Sequence, residues 1–253
     1  MRLITQLIPE RTKRYLIFES KNFETHKWKI SYQQIQQLWE GATFELGKDR
    51  FLISRPNLED YILLGLKRKT QIIYPSDIAQ LIITSWIKGW ENVFESGIGS
   101  WALSLWILHT LKNWKLVSIE AREDFSNLAK ANIIQRSNFT NLKFNHQIII
   151  WNFKEVKLVS NQFDIGFLDM KEAAFNLDKA YELLKPGWTL IIWVPTANQV
   201  AEILKAADGN FFADKLITLN TTNRIRISAR LRPEDFQVGS RWWIIKLIKI
   251  KHS

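Results

Sequence analysis

The 253-residue chain contains no cysteine and only 10 glycines. The lack of cysteine excludes disulfide bonds, thiolate zinc sites and cysteine nucleophiles, and no other metal site is predicted. Glycine is well below its usual share of ~7% of residues. No apolar run reaches the roughly 18 residues that span a bilayer, so no membrane partner is expected. The N-terminal segment has no apolar signal region with a cleavage site, which favours a cytoplasmic protein.

Basic residues and tryptophan are abundant instead. The formal net charge is +10, the isoelectric point is near 9.7, and the chain has 12 tryptophans. An electric field of this sign attracts polyanions, and nucleic acid is favoured over membrane as the partner. On charge alone, a soluble protein that merely happens to be basic is an equally good interpretation.

The stretch from Glu91 to Phe125 has the pattern of a nucleotide-cofactor site. A short apolar run leads into a glycine-bearing turn, and a strongly apolar helix and a second strand follow. Gly97 and Gly99 can adopt backbone angles closed to other residues, and they let a ligand approach the main chain. The second strand closes on Glu120, where a carboxylate can accept hydrogen bonds from both ribose hydroxyls.

Strands alternate with helices through the rest of the chain, and this spacing predicts an α/β, doubly wound, Rossmann-like sheet. Leu142–Trp151, Phe163–Asp169 and Trp188–Val194 are expected strands. A helix is expected after Glu120, from about Phe125 to Ile134, and another over Ala173–Leu184, which Lys185-Pro186-Gly187 stops. Shorter strand-like runs before residue 67 predict a small β-rich N-terminal domain. The predicted domains are therefore residues 1–66 and residues 67–253.

Ligands of doubly wound sheets bind at the carboxyl ends of the strands. The candidates there are the turn Glu95–Ser100, Glu120, the third strand near His146–Trp151, and Asp169. Gly97, Gly99 and Ala102 also satisfy the dinucleotide pattern, so a nicotinamide-dependent oxidoreductase is an alternative. A carboxylate directly before the turn suits an amine-bearing ligand better than a pyrophosphate, and no hydride-transfer machinery is evident.

Several longer motifs resemble the tRNA adenine-N1 methyltransferases that act at position 58, particularly the archaeal type. They are RPNLEDYILLGLKRKTQIIYPSD, ESGIGS, VSIEAREDF, FLDM, LKPGWTLIIWVPTANQV and RLRPEDFQVG. They occur in the right order and cover most of the chain. QIIYP and RLRPED are far more specific than the glycine turn, and on them the chain is identified as a member of that family.

The resemblance implies a β-barrel-like N-terminal unit followed by a class I domain that binds S-adenosyl-L-methionine (SAM), with tRNA as the partner. It also implies an oligomer, either a homotetramer or a hetero-oligomer with a catalytic paralogue. Asp169 would be the catalytic carboxylate, because it can accept from the adenine amino group as N1 gains positive charge. The implied cofactor-binding residues are Gln71, Tyr74, Glu95, Gly97, Ile98, Gly99, Ser100 and Glu120.

Four departures from the family pattern lie near this site. Trp101 replaces the third glycine of the turn, which places an indole beside the methionine end of the cofactor if the backbone is kept. The third strand ends without the acid that reads adenine, Lys171-Glu172-Ala173-Ala174 replaces a proline-rich stretch, and Ser240-Arg241-Trp242 replaces His-Thr-Gly.

Two interpretations of these departures are open. One is a non-catalytic, tRNA-binding subunit with a degraded SAM pocket, and the other is a self-sufficient enzyme whose sequence has drifted. Trp28 and Trp188 also stand where the family has glycine, away from the expected cofactor. That spread favours general glycine depletion over selective loss at the site.

Two basic clusters are candidate RNA contacts. Arginine forks bind phosphate, and indoles offer platforms for unpaired bases. One cluster consists of Arg224, Arg226, Arg230, Arg232 and Arg241, beside Trp242-Trp243, and it could instead be the solvent-facing side of an ordinary β-hairpin. The other consists of Lys67, Arg68 and Lys69, and it could instead be a solvated linker.

Overall fold

The computed structural model describes residues 1–8, 13–19, 21–69, 71–111, 115–140, 145–220 and 242–252, without the side chains of 137–140. Within these ranges the chain forms two compact units, one from Met1–Leu66 and a larger one that begins at Lys67. No helix in the described ranges is both long and apolar enough to cross a bilayer.

The described residues of the smaller unit form six strands and two short helices. The strands are β1 (Arg2–Gln6), β2 (Lys13–Ile17), β3 (Phe23–Glu24), β4 (Lys29–Ile30), β5 (Thr43–Leu46) and β6 (Asp49–Ser54). The helices are α1 (Tyr32–Gln36) and α2 (Leu58–Asp60), and a π-helical turn, Tyr61–Gly65, follows α2.

The larger unit alternates strands and helices. Its strands are β7 (Val93–Ser96), β8 (Leu116–Glu120), β9 (His146–Ile150), β10 (Phe163–Leu168), β11 (Leu184–Val194), β12 (Phe211–Ile217) and β13 (Trp243–Lys249). Its helices are α3 (Pro75–Ser85), α4 (Ala102–Thr110), α5 (Glu123–Thr140), α6 (Leu177–Leu183) and α7 (Ala197–Ala207), with 3-10 turns at Phe153–Glu155 and Ala173–Asn176.

The larger sheet has the strand order β12-β13-β11-β10-β7-β8-β9. The pairs from β9 to β11 are parallel, whereas β13 runs antiparallel to both β11 and β12. The chain order reverses between β7 and β10, so ligands are expected at the carboxyl ends of these two strands. Every residue of β7, β8 and β10 is buried, as expected for central strands covered by helices on both faces.

The smaller unit has its own sheet and core. β2, β1, β6 and β5 form a four-stranded antiparallel sheet, and β3 and β4 form a separate hairpin. Six buried residues fill the core beneath them, namely Ile4, Ile17, Phe23, Ile35, Phe51 and Ile53. The predicted fold class, a doubly wound α/β sheet preceded by a β-rich region, is confirmed.

Three predicted element boundaries differ from the structure. The helix expected over Ala173–Leu184 is a 3-10 turn followed by α6, and β11 begins at Leu184, so Pro186-Gly187 lies within a strand and not at a helix stop. The helix after Glu120 is longer than the expected Phe125–Ile134. The third strand is limited to His146–Ile150, and residues 141–144 lie outside the described ranges.

Candidate functional site

A cavity of about 300 Å³ opens at the carboxyl ends of β7, β10 and β11. Its volume is at the lower end of the ~300–1,000 Å³ typical of small-molecule sites. Five of the predicted cofactor residues line it, namely Gln71, Gly97, Ile98, Gly99 and Ser100, and the predicted catalytic Asp169 does so too. Tyr74, Glu95 and Glu120 are not among its lining residues.

The glycine turn and the end of β10 are in direct contact. The amide of Asp169 donates to the carbonyl of Ser96 over 2.9 Å, which extends the β7–β10 pairing beyond the strands. A Cβ on Gly97 would lie 2.0 Å from the carbonyl oxygen of Asp169, and φ at Gly97 is +92°. Only glycine satisfies both conditions, so Gly97 fixes the position of Asp169 against the turn.

Asp169 has the electrostatics of an acid poised near neutrality. Burial and the neighbouring Glu120 carboxylate raise the pKa of Asp169 to about 7, against the opposing effect of Arg122. Because desolvation is the main cause, a bound polar group could change its charge state readily. A perturbed carboxyl that lines a cavity is the arrangement expected of a functional group.

Glu120 is buried at the end of β8, and one of its two carboxylate oxygens has hydrogen-bond partners among the described residues. Its Oε1 accepts from the amide of Arg122 over 3.1 Å and from the Arg122 Nε over 3.4 Å. Its Oε2 is buried and has no hydrogen-bond partner among the described residues. A buried carboxylate oxygen without a donor is costly, and a ligand hydroxyl would supply one. Arg122, which is not among the residues predicted for the site, lines the cavity, and its guanidinium carbon lies 3.7 Å from the centre of the Phe125 ring.

Glu95 lies on the core side of the turn. Ser104 of α4 donates to its Oε1 over 2.5 Å, and Ser118, its register partner on β8, donates to the same oxygen. Ser118 also contacts the Nε2 of His146 on β9 at 2.6 Å. Burial raises the pKa of Glu95 to about 7, and burial lowers the pKa of His146 to about 4. Glu95, Ser104, Ser118 and His146 thus form a buried polar network, and Glu95 is not among the residues that line the cavity.

Trp101 does not project into the cavity, so the expectation of an indole beside the cofactor is wrong. The residue keeps the left-handed backbone of a glycine, with φ +77°, and caps α4. Its side chain is fully buried and stacks on the ring of His146, with the ring centroids 6.5 Å apart and the planes inclined by 19°. The neighbouring Ser100 and Ala102 line the cavity, whereas Trp101 does not.

Two other departures lie at the end of β9 and after Asp169. β9 ends at Ile150, and Trp151 follows it; both side chains are exposed, and neither is among the residues that line the cavity. The side chain of Asn152 caps the next turn by accepting from the amide of Lys154. Lys171 lines the cavity, and its carbonyl accepts from Gln199 over 3.1 Å.

Two indoles also line the cavity, those of Trp193 and Trp242. The sequence placed Trp242 among the departures near the site but gave no sign of Trp193, which joins Trp242 only through strand pairing.

Of the two basic clusters, the one at residues 67–69 lies within the described part of the chain. Lys67, Arg68 and Lys69 are exposed, and the ammonium group of Lys69 pairs with Asp124 at 3.0 Å. Asn132 holds the backbone of Lys67 through two hydrogen bonds of 3.0 and 3.1 Å. Arg224, Arg226, Arg230, Arg232 and Arg241 lie outside the described residues.

Sequence comparison relates the chain to tRNA methyltransferases. The family model described as "tRNA methyltransferase complex GCD14 subunit" matches residues 52–230. The tRNA (adenine(58)-N(1))-methyltransferase TrmI of Thermus thermophilus is 29% identical over 255 residues, covering 98% of this chain and 97% of that protein. The tRNA (adenine(57)-N(1)/adenine(58)-N(1))-methyltransferase TrmI of Methanocaldococcus jannaschii is 30% identical over 131 residues, or 51% of this chain and 45% of that protein.

Solved structures share the fold along the whole chain. The crystal structure of the tRNA methyltransferase TrmI from Aquifex aeolicus superposes with a TM-score of 0.85 at 26% identity, covering 99% of this chain and 97% of that one. A SAM-dependent O-methyltransferase from Thermotoga maritima gives a TM-score of 0.87 at 25% identity, covering 100% and 94%. All of these relatives are described as methyltransferases, which favours that activity over a nicotinamide-dependent oxidoreductase.

Proposed function

Because the chain belongs to the family described as the tRNA methyltransferase complex GCD14 subunit, we propose that it methylates N1 of adenosine in the T-loop of tRNA, at position 58. The observation that carries the proposal is the placement of Asp169 on the wall of the cavity, bonded through its backbone to the glycine turn. In this proposal Met1–Leu66 forms the small N-terminal domain and residues 67–253 form the methyltransferase domain.

The cavity fits SAM as the cofactor. The unpartnered Oε2 of Glu120 suits a ribose hydroxyl, and the buried hydroxyl of Ser100 likewise has no partner among the described residues. Gly99 lets a ligand reach the main chain of the turn, because no atom lies within 4 Å of the position that its Cβ would occupy. Gly97 lines the cavity beside it. When bound, SAM supplies an electrophilic methyl group. Gln71, Ile98 and Arg122 line the cavity around the same space.

Asp169 supplies the electrostatics that the substrate requires. Adenine N1 is neutral before methylation, and the ring is a cation afterwards. A carboxylate that accepts from the adenine amino group stabilises the developing charge, and this requires Asp169 to be ionised. Since the pKa of Asp169 is about 7, the active form predominates only above neutral pH.

The proposed partner is tRNA, held in part by the two basic clusters. Lys67 and Arg68 extend from the first residues of the larger unit, and the net charge of +10 adds long-range attraction. A homotetramer, or a hetero-oligomer with a paralogue, is the assembly proposed by family likeness. The burial of Trp101 away from the cavity removes the main reason to assign the chain a purely non-catalytic role.

The decisive experiment uses the purified chain alone. We expect SAM to bind in calorimetry and the methyl group to pass to an unmodified tRNA transcript as 1-methyladenosine at position 58. A transcript with guanosine at that position is the matched control and should receive no methyl group. If SAM does not bind and transfer needs an added paralogue, the chain is the non-catalytic subunit.

A further inference from the structure

Two tryptophans form a close stack on the wall of the cavity. The rings of Trp193 and Trp242 lie with centroids 3.7 Å apart and planes inclined by only 13°. Trp193 is 6% exposed, Trp242 is partly exposed, and both line the cavity that Asp169 also lines. The cavity therefore has an aromatic side as well as an acidic one.

Strand pairing explains why the two indoles meet. Trp193 pairs with Ile244 in the antiparallel β11–β13 ladder, and Trp242 precedes Ile244 by two positions. Residues that are diagonal across an antiparallel pair share one face of the sheet, within reach of long aromatic side chains. The stack is thus fixed by backbone register.

The same sheet brings the stack beside Asp169. Leu168 pairs with Ile192 in the parallel β10–β11 ladder, so the next positions, Asp169 and Trp193, are neighbours at the carboxyl ends of adjacent strands. Neighbouring strands lie about 4.8 Å apart. An acidic group and an indole face consequently border one space.

We propose that the stacked pair Trp193–Trp242 is the aromatic wall against which the target base lies, and that it favours the base in its N1-methylated, cationic form. This inference rests on the proposed function and names the feature of that site that holds the face of the base. Every nucleobase has a π-face that can stack on an indole. Only a cationic base gains the additional attraction of a positive charge over the indole, the strongest cation–π partner among side chains.

In this proposal the tryptophan stack and the Asp169 carboxylate contact different parts of the base. Asp169 accepts from the edge of the base, whereas the outer indole, Trp242, contacts its face, so the two groups stabilise the same positive charge. The inner Trp193 is held by the sheet and backs the outer Trp242. Replacement of Trp242 should therefore alter base binding without removing the inner ring from the fold.

The test measures nucleotide binding without cofactor or methyl transfer. Equilibrium dialysis compares 1-methyladenosine 5′-monophosphate with adenosine 5′-monophosphate at neutral pH. We expect the wild-type chain to prefer the methylated nucleotide by about ten-fold. Trp242→Leu should lower that preference to about two-fold, and Trp242→Phe, which keeps a weaker π-face, should fall between them.

Trp39→Leu is the matched control, because Trp39 is 85% exposed and lies in the other unit, and it should leave the preference unchanged. The inference is overturned if the wild-type chain shows no preference, or if Trp242→Leu and Trp242→Phe both retain it. Failure of methyl transfer to tRNA would overturn the proposed function instead, and the nucleotide preference would still be measurable.

Discussion

Asp169 and Glu95 have the same perturbed pKa, about 7, and occupy opposite sides of one turn. Burial is the main cause for both carboxyls. Asp169 lines the cavity and follows β10, whereas Glu95 is enclosed by Ser104 and Ser118 within the sheet. Both carboxyl groups are therefore shielded from water, but only Asp169 borders the cavity.

The comparison shows that a raised pKa by itself does not mark a catalytic group. Burial raises the pKa of Glu95 inside a structural network, although the hydrogen bonds from Ser104 and Ser118 act in the opposite direction. Access to the cavity separates these two carboxyls, because Asp169 is among its lining residues and Glu95 is not. Glu95 instead ties β7, β8 and α4 together beneath the turn that Asp169 contacts from the other side.

The contact between the turn and Asp169 should be the most sensitive part of the molecule. Gly97→Ala puts a Cβ 2.0 Å from the Asp169 carbonyl at φ +92°, so we expect unfolding to become easier by about 4 kcal/mol. Gly99→Ala is the control, since no atom lies within 4 Å of its Cβ position, and it should cost about 1 kcal/mol. Urea unfolding measures both. Equal costs would show that the close approach is unimportant.

Replacing Trp101 should weaken the core side of the turn and spare the cavity. Trp101→Gly removes a fully buried indole from its stack on His146, and we expect a loss of about 3 kcal/mol in unfolding free energy. The affinity for SAM, measured by calorimetry, should change by no more than about two-fold. Trp39→Gly, at an exposed site, should alter stability by no more than about 0.5 kcal/mol. A large gain in SAM affinity would mean that the indole obstructs the cofactor.

Glu95 should influence stability through pH. Its folded pKa of about 7 is above the ordinary value of 4.5, so its contribution is complete below pH 4.5 and is lost as the pH rises to about 7. Glu95→Gln cannot ionise, and its stability relative to wild type should increase by about 3 kcal/mol across that interval. Thermal or urea unfolding at several pH values measures this difference.

The pH dependence of wild-type stability alone would not isolate the contribution of Glu95, because other buried groups titrate in the same range. Asp169 acts in the same direction as Glu95, whereas the lowered pKa of His146 makes the protein more stable as the pH rises from about 4 to 6.5. The exposed Glu172→Gln is the control and should show no such difference. A stability difference between Glu95→Gln and wild type that does not change with pH would mean that the pKa of Glu95 is the same in the folded and unfolded protein.

Local sequence patterns were sufficient for the framework of the site. Gly97, Gly99 and Asp169 stand at strand ends, and parallel strands bring their carboxyl ends to one edge whatever the side chains are. The element order therefore predicts that these residues meet. It does not predict the direction of a side chain in a left-handed residue, and for that reason Trp101 was expected at the cofactor and lies in the core.

The contacts between side chains on different strands could not be predicted from the sequence. Trp193 and Trp242 are far apart along the chain and meet only because β13 runs antiparallel to β11. Ser118 and His146 likewise join Glu95 through the pairing of three strands. Their residue types carry no local signal, because serine, histidine and tryptophan fit many sites.

The most direct test is the pH dependence of single-turnover methyl transfer from SAM to tRNA in the wild type, Glu95→Gln and Asp169→Asn. The account predicts that the wild-type rate rises about ten-fold per pH unit below about pH 7 and then levels, as Asp169 ionises. Glu95→Gln should keep the rise and the plateau, with a midpoint that moves only slightly to lower pH because the repulsion between Glu95 and Asp169 is removed. Asp169→Asn should lose at least about 100-fold in rate and the pH dependence with it. An Asp169→Asn chain that keeps the wild-type profile, or a Glu95→Gln chain that loses the rise with pH, would contradict the assignment of Asp169 as the catalytic carboxylate.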